Sequence, residues 1–205
     1  VTVDPQSQVN PQALVSRYAA IARPLLLSFT KPECRNADCI GATRMALWCF
    51  EALGLRAEPI AMTWVVQAPS LQFAFVCGLR GEVLEAAKLQ AANYTHREVA
   101  GGQGWDGHLV LAVEGRWLVD STFDQCAAHR DLDIPPTVLV VDCGSLHPRD
   151  AAIRANFTTD KGIPFSVDYQ PLDGEDDGWR NSEAWNQPEL QWAGYSIAAA
   201  ILAKR

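Results

Sequence analysis

The sequence predicts an α+β fold in one domain, and three observations predict it. Residues 38–53 (DCIGATRMALWCFEAL) repeat apolar side chains at helical spacing and stop at Gly54. Residues 104–125 (GWDGHLVLAVEGRWLVDSTFDQ) hold two β-rich runs, 107–113 and 116–121, joined by a short turn. Further strand-like runs lie at 56–66, 72–77, 137–142 and 164–169. A chain of 205 residues can bury a real core as one domain, at most with an extension. We read one domain over 1–205, with an N-terminal helical segment at about 11–29 and a C-terminal extension at about 145–205.

The elements follow in order. Residues 1–9 are polar and carry no period. Pro11 can open a helix that runs through Leu14, Tyr18 and Ile21 and is interrupted at Pro24, with 25–29 as a second short piece. Residues 30–37 form a loop. The next helix places Ile40, Thr43, Ala46, Leu47, Phe50 and Leu53 on its periodic positions, with Asp38 as N-cap and Gly54 as left-handed C-cap. Cys39 opens it and shares a face with Ala42, Thr43, Ala46, Phe50 and Leu53. Residues 82–92 have helical composition, and Gly101, Gly102 and Gly104 precede Trp105. Residues 172–178 are an acidic surface loop, 179–192 are rich in Trp and Asn without a clear period, and 195–202 form a short Ala-rich helix.

Composition excludes several classes. Apolar residues make up 48% and charged residues 20%, as in globular chains. A net charge of −7 without a basic run argues against nucleic acid or an anionic membrane as partner. No apolar run is long enough to span a bilayer. The six cysteines include no CxxC pair, so zinc is not expected; they fit reduced thiols in a cytoplasmic protein, or disulfides if the chain is exported. The acidic run Asp173, Glu175, Asp176, Asp177 lacks the calcium-loop pattern and reads as solvated surface. No cofactor and no metal ion is expected.

The hairpin and the helix together suggest chemistry. A loop of Val113, Glu114 and Gly115, with Gly115 left-handed, sets Ala112 opposite Arg116 and His108 directly opposite Asp120. A two-residue loop of Glu114 and Gly115 would put them on opposite faces instead. A thiol at a helix start is where a nucleophile is activated, because the helix end favours the thiolate. A strand imidazole can take its proton, and a carboxylate beside the imidazole fixes the tautomer.

DCIGATRMALWCFEALGLRAEPIA resembles the cysteine helix of transglutaminase-like proteins of papain-like fold, and GHLVLAVEGRWLVDSTFDQ resembles their histidine hairpin. Arylamine N-acetyltransferases share the Cys, His, Asp order and a similar hairpin. The resemblance covers under a third of the chain. It implies a papain-like, transglutaminase-like core, a helix carrying the Cys packed on an antiparallel sheet carrying the His and Asp. Cys39 is then the nucleophile, His108 the base and Asp120 the orienting acid. The chain departs from the pattern at Ile40, Val110 and Ser121, where the family often has Trp, an aromatic and Pro. Asn36 is the nearest amide for an oxyanion hole, and Trp105 is placed to wall a substrate cleft.

The expected function is thiol-dependent acyl chemistry, foremost hydrolysis of an amide or peptide-like bond. Acyl transfer to an amine is the second reading, and a non-catalytic binding or scaffold protein on the same fold is the rival. The expected partner is a peptide-like or amide substrate; the oligomeric state is not legible. Against the catalytic reading, Cys39 could be a packed core thiol, His108 a satisfied strand histidine and Asp120 a turn former. Cys34 is a rival thiol in the preceding loop, while Cys49, Cys77 and Cys143 read as core. His96, Cys126, His129 and His147 suggest no partner, and Trp179, Trp185 and Trp192 read as packing residues or a cover for the cleft. Exposure separates enzyme from scaffold, because an enzyme needs Cys39 on the floor of an open cleft.

Overall fold

A computed structural model describes residues 10–29, 39–71, 73–78, 94–96, 105, 107–129, 134, 137–159, 161–172 and 178–203. The expected helix at 82–92, the Asp38 cap, the acidic loop at 173–177 and the glycines at 101, 102 and 104 lie outside these residues. Three α-helices, α1 (Pro11–Phe29), α2 (Cys39–Ala52) and α3 (Glu189–Ala203), are described with an eight-stranded sheet. The strands are β1 (Ala57–Ala68), β2 (Phe73–Cys77), β3 (Tyr94–His96), β4 (His108–Val113), β5 (Trp117–Asp120), β6 (Leu139–Asp142), β7 (Ile153–Thr158) and β8 (Pro164–Pro171). The architecture is α+β.

The main sheet order is β3-β2-β1-β4-β5-β6, with β8 also on β1 and β7 outside β8. Every pairing is antiparallel except β2 with β3. The twelve-residue β1 makes this possible by changing partners along its length. Along one edge its first half pairs β4 and its second half pairs β2, while β8 pairs the second half from the other edge, so Met62 sits between His108 and Pro171. His108 therefore begins β4 at the point where one neighbour of β1 gives way to the next.

The sheet separates two cores. On one side α2 packs on Leu109, Leu111, Val113 and Val119, with α1 and α3 around it. On the other, Ile60, Met62, Trp64 and Val66 of β1 alternate inward against Val110, Leu118, Phe123, Val167 and Tyr169. Cys39 lies in the first core, while His108 and Asp120 share the strand parity of the second. Helix α2 is buried nearly all round, at Cys39, Gly41, Ala42, Thr43, Met45, Ala46, Leu47, Cys49 and Phe50. Thr43 hands its hydroxyl to the Leu109 carbonyl at 2.8 Å, so even its polar position serves the sheet. The helix ends as its sequence demands. Gly54 takes φ 77°, Gly54 N–H bonds Glu51 O, and Leu55 N–H reaches back to Phe50 O at 3.0 Å.

Several expectations change. Helix α1 runs unbroken through Pro24 rather than ending there. Pro24 faces solvent while Arg23 and Leu26 are buried, so water can serve the carbonyl that loses its partner and packing holds both flanks. Helix α3 starts at Glu189, well before 195, because Pro188 can precede a first turn that Glu189 favours. Strand β7 was not expected at all. Trp179 and Trp185 pack edge to face and are buried, but Trp192 is 75% exposed and is not a core residue. Cys49 and Cys77 are core as expected, whereas Cys143 is only half-buried at the sheet edge.

Candidate active site

Cys39 is the first residue of α2 and is 1% exposed. His108 and Asp120 are fully buried. The hairpin brings the last two together by a route other than the expected one. Val113 pairs Trp117 and Leu111 pairs Val119, so the register puts Val110, not His108, opposite Asp120. Glu114 and Gly115 carry the positive φ values, 52° and 63°, and Arg116 N–H bonds Val113 O, the geometry of a two-residue turn. Such a turn alone would separate the two faces. Arg116 then stands as one extra residue before Trp117 pairs, which restores the parity. His108 and Asp120 are consequently diagonal neighbours on one face. The far ring nitrogen of His108 spans the gap, and Nε2 lies 2.9 Å from Asp120 Oδ2.

Asp120 is held from every side. Tyr169 donates its hydroxyl to the same Oδ2 at 2.7 Å, and Thr122 N–H donates to Oδ1 at 3.0 Å. Those contacts suit an ionised carboxylate, and they assign the Nε2 proton to His108. Burial pushes the Asp120 pKa up, but the His108 charge and the three donors outweigh it and hold it below the usual range. For His108, burial works against the charged ring; the Asp120 charge and hydrogen bond prevail and raise its pKa to about 9. The Cys39 thiol is near enough to add to that rise, as a hydrogen-bonding group and through charge. Nδ1 has no partner at full hydrogen-bonding geometry. The ring thus keeps one nitrogen on the acid and leaves the other without a full hydrogen bond.

Sequence reasoning missed two neighbours. Trp64 of β1 stacks on the His108 ring, centroids 4.2 Å apart and planes 13° from parallel, a favourable seat for an imidazolium. Tyr169 of β8 faces Trp64 across the β1–β8 ladder. Both signals were in the sequence. Trp64 and Tyr169 fall on inward positions of alternating strands, and a buried tyrosine hydroxyl needs an acceptor. Trp105 packs over Gly107, where a Cβ would overlap its ring, and it touches the core that contains Cys39. Asn36 and Cys34 lie outside the described residues.

Cys39, His108 and Asp120 are each buried among the described residues. One cavity of about 360 Å³ lies by Arg56, Glu58, Gly115 and His147, and one of about 460 Å³ by Phe157 and Phe165. His147, for which no partner was expected, places Nε2 3.0 Å from Glu58 Oε1. Among the described residues there is no group of three or more His, Cys, Asp or Glu that could hold a metal ion. No described helix is long and apolar enough to cross a membrane. In comparisons with known proteins, no family model, no curated protein and no solved structure matches this chain.

Proposed function

We propose that this chain performs thiol-dependent acyl chemistry on an amide or peptide-like bond, with hydrolysis as the reaction. One observation carries the reading. His108 is anchored to Asp120 through Nε2 and leaves Nδ1 without a full hydrogen bond on a ring that the Cys39 thiol approaches. In this reading Cys39 transfers its proton to Nδ1, and the thiolate attacks the acyl carbon. The imidazolium rests on Asp120 and against Trp64, then returns its proton to the leaving amine. Water releases the acyl group in a second step. In this reading the fold is the papain-like, transglutaminase-like core that the sequence resemblance implies. Acyl transfer to an amine uses the same first step.

The burial of Cys39, 1% exposed, favours a second reading, a scaffold in which the three side chains are a buried structural cluster. In the enzyme reading this is a closed state, and substrate enters after an opening motion. Iodoacetamide labelling of the native chain across pH, followed by peptide mapping, separates the two. The enzyme reading requires Cys39 to alkylate ahead of the other five cysteines at about pH 5–6, and His108→Ala to abolish that lead. Uniformly slow labelling of Cys39 until the chain unfolds would establish the scaffold.

A further inference from the structure

Helix α1 contributes two side chains to the turn that follows Asp120. Tyr18, fully buried, shares a hydrogen bond of 2.8 Å with Ser121. Five residues on, the Arg23 guanidinium grips Asp124 with two bonds, 2.6 and 2.9 Å, although Arg23 is only 3% exposed. Between these anchors lies Thr122, whose N–H holds Asp120 Oδ1 and whose carbonyl receives Gln125 N–H. Tyr18 also packs on Phe50 of α2, ring centroids 4.6 Å apart. One helix therefore touches both the element that carries Cys39 and the turn that holds the acid.

Burying an arginine is costly unless its partner is fixed, and a bidentate pair fixes both distance and angle. A loose four-residue turn has no such need, since Ser, Thr and Asp can satisfy themselves in water. We infer that Tyr18 and Arg23 are positioning residues, which hold the Ser121–Asp124 turn so that Thr122 N–H stays on Asp120 Oδ1 and the carboxylate stays aimed at His108. The inference rests on the reading of Cys39, His108 and Asp120 as a reacting set. The titratable groups around that set are Cys39 on α2, Tyr169 on β8, Cys126 after β5 and Tyr18 itself, with the Arg23–Asp124 pair beyond them. Burial drives Tyr18, Tyr169 and Cys126 far above their usual pKa, so they stay neutral while His108 titrates. A change in the His108 midpoint then reports on Asp120 and on Cys39.

The test follows the His108 ring nitrogens by NMR through a pH titration of the full chain. Wild type is compared with Tyr18→Phe, Ser121→Ala, Arg23→Met and Leu14→Ala. Leu14 lies in the α1 core contact one turn before Tyr18 and its side chain has no polar atom, so its truncation weakens the helix without removing either anchoring bond. The expected result is a His108 midpoint lowered by about half to one pH unit in the first three variants, with three- to tenfold slower Cys39 alkylation at about pH 5. Leu14→Ala lowers the melting temperature and leaves the midpoint in place. If Arg23→Met does not fold, Ser121→Ala and Tyr18→Phe report on the same anchor from its two ends. Unchanged midpoints in these variants, or an equal shift in Leu14→Ala, overturn the inference. The ring titration gives its answer whether or not Cys39 proves reactive, so a failure of the proposed reaction is seen separately, as an inert thiol in wild type.

Discussion

Replacing Asp120 with Asn removes one charge and leaves the shape. Its consequence can be worked from the contacts. Oδ2 receives two donors, His108 Nε2–H and the Tyr169 hydroxyl, and Oδ1 receives Thr122 N–H. An amide can accept on one side only, so a buried N–H₂ must face either the first pair or Thr122. More than a single hydrogen bond is lost. The His108 pKa, raised from 6.5 to about 9, measures the larger part. The folded value lies above the unfolded one, so the pair's stabilisation is complete below the unfolded value and fades as pH rises through about 9. At 1.36 kcal/mol per pH unit it amounts to about 3 kcal/mol near pH 6 and less than about 1 kcal/mol by pH 8.5. On the acid side Asp120 gives the mirror effect: its folded value is depressed, so the same stabilisation is lost as pH falls below the carboxylate range. The assay is urea unfolding of wild type and Asp120→Asn at about pH 6 and pH 8.5, with the difference between proteins taken at each pH. The expected gap is about 3 kcal/mol at the lower pH and about 1 kcal/mol at the higher. A gap of equal size at both would refute the argument, because it would mean that the His108 charge does not depend on Asp120 in the folded chain.

Tyr169→Phe removes one donor from Asp120 without changing packing. It should cost about 1 kcal/mol of stability and raise the His108 midpoint, since Oδ2 then serves the imidazolium alone; urea unfolding and the ring titration read the two effects. Gly194 of α3 faces α2, and a Cβ there would come within 2.5 Å of Trp48 Cβ and 2.6 Å of the Met45 carbonyl oxygen. Gly194→Ala should therefore push the two helices apart and cost about 1–3 kcal/mol, seen as a lower melting temperature, because the backbone of α2 cannot step aside. Gly107→Ala displaces Trp105, and Cys39 should then alkylate faster in the folded chain; a slower rate would show that Trp105 does not cover the thiol.

Local patterns determined much of this protein. The helix from Cys39, its glycine stop, the hairpin of β4 and β5 and the strands β1, β2, β6 and β8 follow from side-chain period and turn residues, which act over a few positions. Even β7 was legible, since IRANFT alternates and its Ile153, Ala155 and Phe157 turn toward the second core. Parity placed His108 and Asp120 on one face, but register did not survive. The extra residue Arg116 follows a two-residue turn, and sequence cannot say where an odd residue will be set aside. Only the tertiary structure decided which strands flank β1, because partner choice depends on contacts far apart in the chain. That choice brought Tyr169 to Asp120 across 49 positions and Ser121 to Tyr18 across 103. It also kept α1 whole across Pro24, where burial on both sides outweighs one missing hydrogen bond. And it decided that Cys39, His108 and Asp120 are buried, since exposure is a sum over the whole packed molecule and no stretch of sequence carries it.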